Sequence, residues 1–154
     1  MPEFRREGPV RLLIAVAAGL VAIGCTSVQP LAVRTGDRCF NCQRPIENPR
    51  LAGEIIDQQG HALKFRTAGC MARYVAQHPE EQGQYRAVFV TDYTTGRFIK
   101  ASTATFARMP LEAGSMERDY VAFGSARAAA DNAKKEGSGA VDWPQLLMMS
   151  KTAD

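Results

Sequence analysis

The spacing of apolar and polar positions changes several times along this chain, and each change marks an element. Residues 12–23 form a nearly unbroken apolar run behind three arginines. Residues 25–35 are rich in Ser, Thr, Gln and Pro with little apolar pattern, which predicts a tether. Residues 39–49 contain Pro45 and an Asn48-Pro49 step, so they form a loop and not a helix interior. Ile55 and Ile56 centre a predicted strand at 51–57, Gln58-Gln59-Gly60 turns it, and alternation over 61–65 gives the second arm of a hairpin. Thr67 is the expected N-cap of a helix reaching residue 77, with Met71, Tyr74 and Val75 on one face. A β-prone run at 85–91 turns at Asp92 to Gly96 and returns at 97–102, with 103–109 continuing the same sheet. A short strand at 119–123 precedes Ser125, the expected cap of an Ala-rich helix that Gly137 stops. A last short strand covers 140–143, and Pro144 at N1 opens a short final helix.

Two segments repeat this logic. Leu63-Lys64-Phe65-Arg66-Thr67-Ala68 and Val121-Ala122-Phe123-Gly124-Ser125-Ala126 each read as a strand ending in Phe, a hydroxyl cap two residues later, then a helix. The predicted fold class is α+β: two hairpin-plus-helix units followed by a short C-terminal strand and helix.

Composition narrows the function classes. A chain of 154 residues with 45% hydrophobic and 23% charged content is long enough for one domain with a real core. The net charge of +3 comes with no long Lys/Arg block, so nothing points to nucleic acid. The amino terminus differs from the rest. Arg5, Arg6 and Arg11, the short apolar run and Gly24-Cys25 are the parts of a secretory signal, and the run is too short to span a bilayer comfortably. Leu20-Val21-Ala22-Ile23-Gly24-Cys25 resembles a bacterial lipobox. That resemblance implies removal of residues 1–24, lipid on Cys25, and an outer-membrane lipoprotein facing the periplasm, since Thr26-Ser27 follow without an Asp. Removing residues 1–24 takes away three Arg and two Glu and leaves a chain close to neutral.

With Cys25 carrying lipid, Cys39, Cys42 and Cys70 remain, an odd count for an oxidising compartment and a sign of a free or metal-bound sulfur. Cys39 and Cys42, three positions apart, can close on one soft ion such as Cu(I), with Zn as the alternative. They can equally form a thiol–disulfide redox pair or a structural zinc or disulfide link in a domain that binds a partner protein. A redox pair of the thioredoxin type opens a helix after a strand, whereas Arg44-Pro45 follows here. Cys70, near a predicted helix N-terminus, is expected to have a lowered pKa. Met116, in a loop after Gly114-Ser115, is a candidate thioether ligand, and Met71 and His61 are possible extra donors. No Ser/His/Asp order, paired carboxylates or phosphate loop suggests an enzyme.

The lipobox, the Cys-x-x-Cys, the run Tyr85-Arg86-Ala87-Val88-Phe89-Val90-Thr91-Asp92-Tyr93-Thr94-Thr95-Gly96 and the run Ser115-Met116-Glu117-Arg118-Asp119-Tyr120-Val121-Ala122-Phe123 together resemble the NosL family, accessory lipoproteins of nitrous oxide reductase that bind Cu(I). The resemblance implies a NosL-like domain at 36–149, with a two-unit α+β fold similar to part of organomercurial lyase. It also implies a copper chaperone whose client is a cuproenzyme or copper-transfer protein. The family motif continues Cys-Gly-Met, where this chain has Cys42-Gln43-Arg44; the family's later Met falls on Met116, and Cys70 can replace the lost sulfur. For the amino terminus, Cys25→Ser should abolish incorporation of a lipid label. A wild-type chain that takes no label would refute the anchor.

Overall fold

The computed structural model describes residues 27–152; the expected signal segment and Cys25 lie outside the described residues. Strand β1 (Gly53–Asp57) runs antiparallel to β2 (Ala62–Phe65), with Ile55 opposite Leu63. The other edge of β1 takes β3 (Tyr85–Thr91), and β3 pairs with β4 (Phe98–Lys100). The first sheet therefore has the order β2-β1-β3-β4. A second sheet has β5 (Thr105–Pro110) at its centre, between β6 (Arg118–Phe123) and β7 (Val141–Asp142). Helix α1 (Ala68–Gln77) follows β2, α2 (Ala126–Lys135) follows β6, and α3 (Trp143–Ser150) follows β7. The repeat seen in the sequence thus corresponds to β1-β2-α1 and β5-β6-α2, an α+β architecture of antiparallel sheets and helices.

The caps form as the sequence predicts. Thr67 accepts from the Cys70 N–H and Ser125 from the Ala128 N–H, each satisfying one free donor at a helix start. Pro144 is the second helical residue of α3 and not the first. Asp142 is the N-cap, and it exchanges hydrogen bonds with Gln145 in a capping box, so Trp143 takes the first position. Residues 103–109 do not extend the first sheet. A 3-10 turn at Ala101–Thr103, with Ala101 and Ala104 buried at either side, redirects the chain, and β5 pairs with β6 and β7 instead. The expected tether also docks earlier than residue 36. Leu31 N–H donates to Glu54 at 2.7 Å, and Lys64 Nζ donates to the Ala32 carbonyl at 2.8 Å. Glu54 is fully buried, and that burial raises its pKa, with the Leu31 N–H and the Lys64 charge acting the other way.

The core has two parts. Ile55, Phe65, Met71, Val75, Phe106 and Leu146 belong to the larger one, where α1 and α3 meet strands of both sheets. Ala129 and Ala133 of α2 pack on Val121 and Phe123 in the smaller one, and their small side chains let the helix lie close to its sheet. All of α1 is buried except Arg73 and Gln77, so anything the helix carries at its N-terminus sits deep in the protein. Among the described residues, no helix is long and apolar enough to cross a membrane.

Two glycines allow close approach to α1. A Cβ at Gly53 would stand 2.8 Å from the Met71 Sδ, while one at Gly69 would stand 1.9 Å from Asp119 Oδ1. The thioether end can swing aside, but the carboxylate is held by Thr67 Oγ1 at 2.6 Å and by Arg73. Gly69→Ala should therefore cost about 2–3 kcal/mol and Gly53→Ala about 1 kcal/mol, from the usual range for overpacking. Urea midpoints check the order, and equal costs would show that Asp119 is not held as described.

Candidate metal centre

The loop after β-bridge partner Arg38 closes at Pro45, so the Cys-x-x-Cys segment is the tip of a narrow hairpin. Cys39 N–H donates to the Arg44 carbonyl at 2.9 Å, and Gln43 N–H donates to the Cys39 carbonyl at 2.9 Å. The reversal needs a left-handed residue, and Gln43 supplies it at φ 58°. Phe40 N–H, donating to the Lys64 carbonyl at 2.7 Å, pins the hairpin to β2. Cys39 at the neck is fully buried, whereas Cys42 at the tip is exposed.

Cys70 arrives from α1. It is the third helical residue, held by the bond from its N–H to Thr67 Oγ1 at 2.9 Å, and it is buried. Asn41 crosses from the hairpin and donates from Nδ2 to the Cys70 carbonyl at 3.3 Å. The Cys39 and Cys70 sulfurs lie 3.5 Å apart, and the sulfurs of Cys39, Cys42 and Cys70 all fall within 4.8 Å of one another.

The two buried thiols share a proton unequally. Cys39 is pulled well below the usual thiol range, first by the hydrogen bond from Cys70 and then, against the cost of burial, by the Cys42 and Arg66 N–H groups. Cys70 is pushed up, first because it gives that hydrogen bond and then because it is buried. The expected lowering at the helix N-terminus is therefore overridden: the neighbouring thiolate acts at contact distance, while the dipole acts more weakly.

Beside the sulfurs lies a cleft of about 190 Å³, with Arg44, Arg66, Arg73 and Arg118 facing Glu117 and Asp119. Arg44 bonds Glu117 at 2.8 Å, and Arg66 bonds the same carboxylate. Arg73 grips both oxygens of Asp119, at 3.1 and 2.9 Å. Arg118 pairs with Glu136, the C-cap residue of α2.

Not every expected donor joins the sulfurs. Met116 is 96% exposed, on the loop before Glu117, and its thioether stands in solvent. Met71 is buried in the core against Gly53, on the side of α1 that faces β1. His61 sits at the β1–β2 turn, where Asp57 holds its ring at 3.0 Å, and it is not part of the ligand cluster. Sequence reasoning missed Asn41, Arg66, Arg73, Glu117 and Asp119. Thr67 and Asp119 are 52 positions apart, and no local pattern connects them.

The burial pattern sets an order of reactivity. Among Cys39, Cys42 and Cys70 of the native chain, an alkylating reagent should modify Cys42 first by at least about tenfold in rate, because access as well as thiolate character governs the reaction. Peptide mapping by mass reads the order, and Cys39 or Cys70 reacting first would contradict the burial described.

Comparisons with known proteins bear on the family and the fold. The NosL family model matches residues 30–146. In fold the chain is similar to the crystal structure of the copper chaperone NosL from Shewanella denitrificans, with a TM-score of 0.63 and 18% identity over 77% of this chain and 95% of that one. No curated protein matches the chain. Because the family model covers the hairpin, both sheets and most of the helical part, the chain belongs to the NosL family.

Proposed function

We propose that this chain is a copper chaperone that holds one Cu(I) between Cys39, Cys42 and Cys70 and passes it to a cuproenzyme such as nitrous oxide reductase. The observation that carries this reading is the trio of sulfurs within 4.8 Å of one another. Three soft donors at that spacing suit Cu(I), which accepts few ligands and prefers sulfur. Zinc completes a tetrahedron in structural sites. Among the described residues, the ligand group here contains three cysteines and no His or carboxylate, so zinc would take its fourth ligand from elsewhere. The copper chaperone NosL of Shewanella denitrificans shares the fold, which also supports the reading. In the same reading, lipid on Cys25 anchors the domain to the outer membrane, facing the periplasm, and the segment ahead of the docked Leu31 gives it reach. A thiol–disulfide function fits less well, since the Cys-x-x-Cys forms a hairpin tip and does not open a helix.

Anaerobic competition against a chromophoric Cu(I) chelator tests the proposal. The parent should bind one Cu(I) per chain. Because all three sulfurs converge, Cys39→Ser, Cys42→Ser and Cys70→Ser should each weaken binding at least about a hundredfold, or ~2.7 kcal/mol. Met116→Leu should change it by less than about twofold, since its side chain is in solvent. If the double variant Cys39→Ser/Cys42→Ser binds as tightly as the parent, the ion is held elsewhere and the proposal is wrong.

A further inference from the structure

The charges around the sulfurs do not cancel. Arg73 is matched by Asp119, and Arg118 by Glu136. Glu117, however, serves both Arg44 and Arg66, so one carboxylate faces two guanidiniums. Arg38, at the base of the same hairpin, donates to the neutral Gln43 carbonyl at 3.1 Å. Among the described residues, five guanidiniums thus meet three carboxylates, and two positive charges are left without an ionic partner in direct contact. Glu47 acts on Arg44 only through space. Of the uncompensated group, Arg66 is the most shielded, with its side chain 12% exposed against 56% for Arg44, so its field is the least screened by water.

That excess matters because the candidate ions leave different net charges. Three thiolates around a monovalent ion carry a net charge of −2, and around a divalent ion −1. We propose that Arg66, assisted by Arg44 and Arg38, determines ion specificity by charge, favouring the doubly negative complex of a monovalent soft ion over the singly negative complex of a divalent one. The arginines do not ligate, since a guanidinium offers no lone pair. They act through the field at the sulfurs, and so are specificity-determining positioning residues. The inference rests on the Cu(I) reading of the three-sulfur site.

The test compares Cu(I) and Zn(II) affinities of the whole chain by anaerobic chelator competition in the same buffer. Removing one nearby positive charge should weaken the −2 complex more than the −1 complex. In Arg66→Gln the ratio of Cu(I) to Zn(II) affinity should fall about tenfold, the size expected for one unit charge at partly screened range. Arg66→Lys keeps the charge and should stay within about twofold of the parent. Arg38→Gln, at an exposed position with only a carbonyl partner, should shift the ratio in the same direction by a smaller factor without disturbing the fold. Equal weakening of both metals in Arg66→Gln would indicate a merely structural residue and overturn the inference, as would an unchanged ratio in both Gln variants. In either case a parent that binds Cu(I) through its cysteines leaves the chaperone reading intact. A parent that takes no Cu(I) overturns both.

Discussion

The carboxylate of Asp119 joins the two halves of this protein at the place where the third sulfur is set. It leaves β6 in the second sheet and reaches the start of α1 in the first unit. There it accepts from Thr67 Oγ1 at 2.6 Å and from both arms of Arg73. Its own strand contributes as well, through the Tyr120 N–H at 2.9 Å. A buried carboxylate without such donors would carry a large desolvation cost. With them it becomes a rigid joint, because charge-assisted and bidentate bonds restrict geometry as well as adding energy. Thr67 in turn caps α1 through the Cys70 N–H, so the position of one sulfur is traced back through two side chains to the opposite sheet. Gly69 belongs to the same joint: only a residue without Cβ lets the carboxylate approach the helix so closely.

The other two sulfurs are placed by a different device. Their hairpin takes its shape from the bridge at its base and the left-handed turn at Gln43, and it is held against β2 by the bond from Phe40 N–H to the Lys64 carbonyl and against the core by the buried Cys39. Rigid helix and tight loop thus converge from independent directions. A site built this way has one wall fixed by the core and one wall at the surface. The buried pair Cys39 and Cys70 would exclude water from one side of an ion held there, and the exposed Cys42 would leave the other side reachable. Low dielectric on the buried side strengthens the attraction between thiolates and a cation. An open side permits an incoming ligand to replace one sulfur before the others let go. In the proposed chaperone, retention and release would therefore be separate tasks of separate residues.

Local signals in the sequence were sufficient for most elements. Thr67 and Ser125 announced their helices by capping chemistry, and the run at Tyr85 to Thr91 announced a strand by composition; each appears where expected. The division into two sheets was not legible, because nothing in residues 97–109 says that a 3-10 turn at Ala101–Thr103 will break the ladder. For the site, the Cys-x-x-Cys spacing was plain, and Cys70 could be suspected as a third sulfur. The methionine choice shows the limit of such reasoning. Met116 in a loop and Met71 in a helix offer the same thioether chemistry on paper, but one lies in solvent and the other in the core. The arginines were opaque for a further reason: whether a guanidinium is balanced depends on how many others share its carboxylate, and Arg44, Arg66 and Glu117 come from three separate stretches of chain.

The departure from the family motif becomes intelligible in these terms. Where the resemblance drawn from the sequence implies Cys-Gly-Met, this chain has Cys42-Gln43-Arg44. A Gly suits the left-handed position at no steric cost, and Gln43 holds it at φ 58° against a penalty of about 1 kcal/mol or more. Its side chain offsets part of that by donating from Nε2 to the Phe40 carbonyl at 2.8 Å, which ties the tip of the hairpin to itself. The change at the next position is larger. A methionine would bring a neutral thioether, whereas in the proposed site Cys70 would bring the third sulfur as a negative thiolate. That exchange adds one negative charge to the ligand set. Arg44 stands at the position of the missing methionine and adds one positive charge, paired to Glu117 beside the cleft. The two substitutions therefore compensate each other in charge. In the proposed site, the negative charge that a Cys70 thiolate would add stands beside the positive charge of Arg44 across the same cleft.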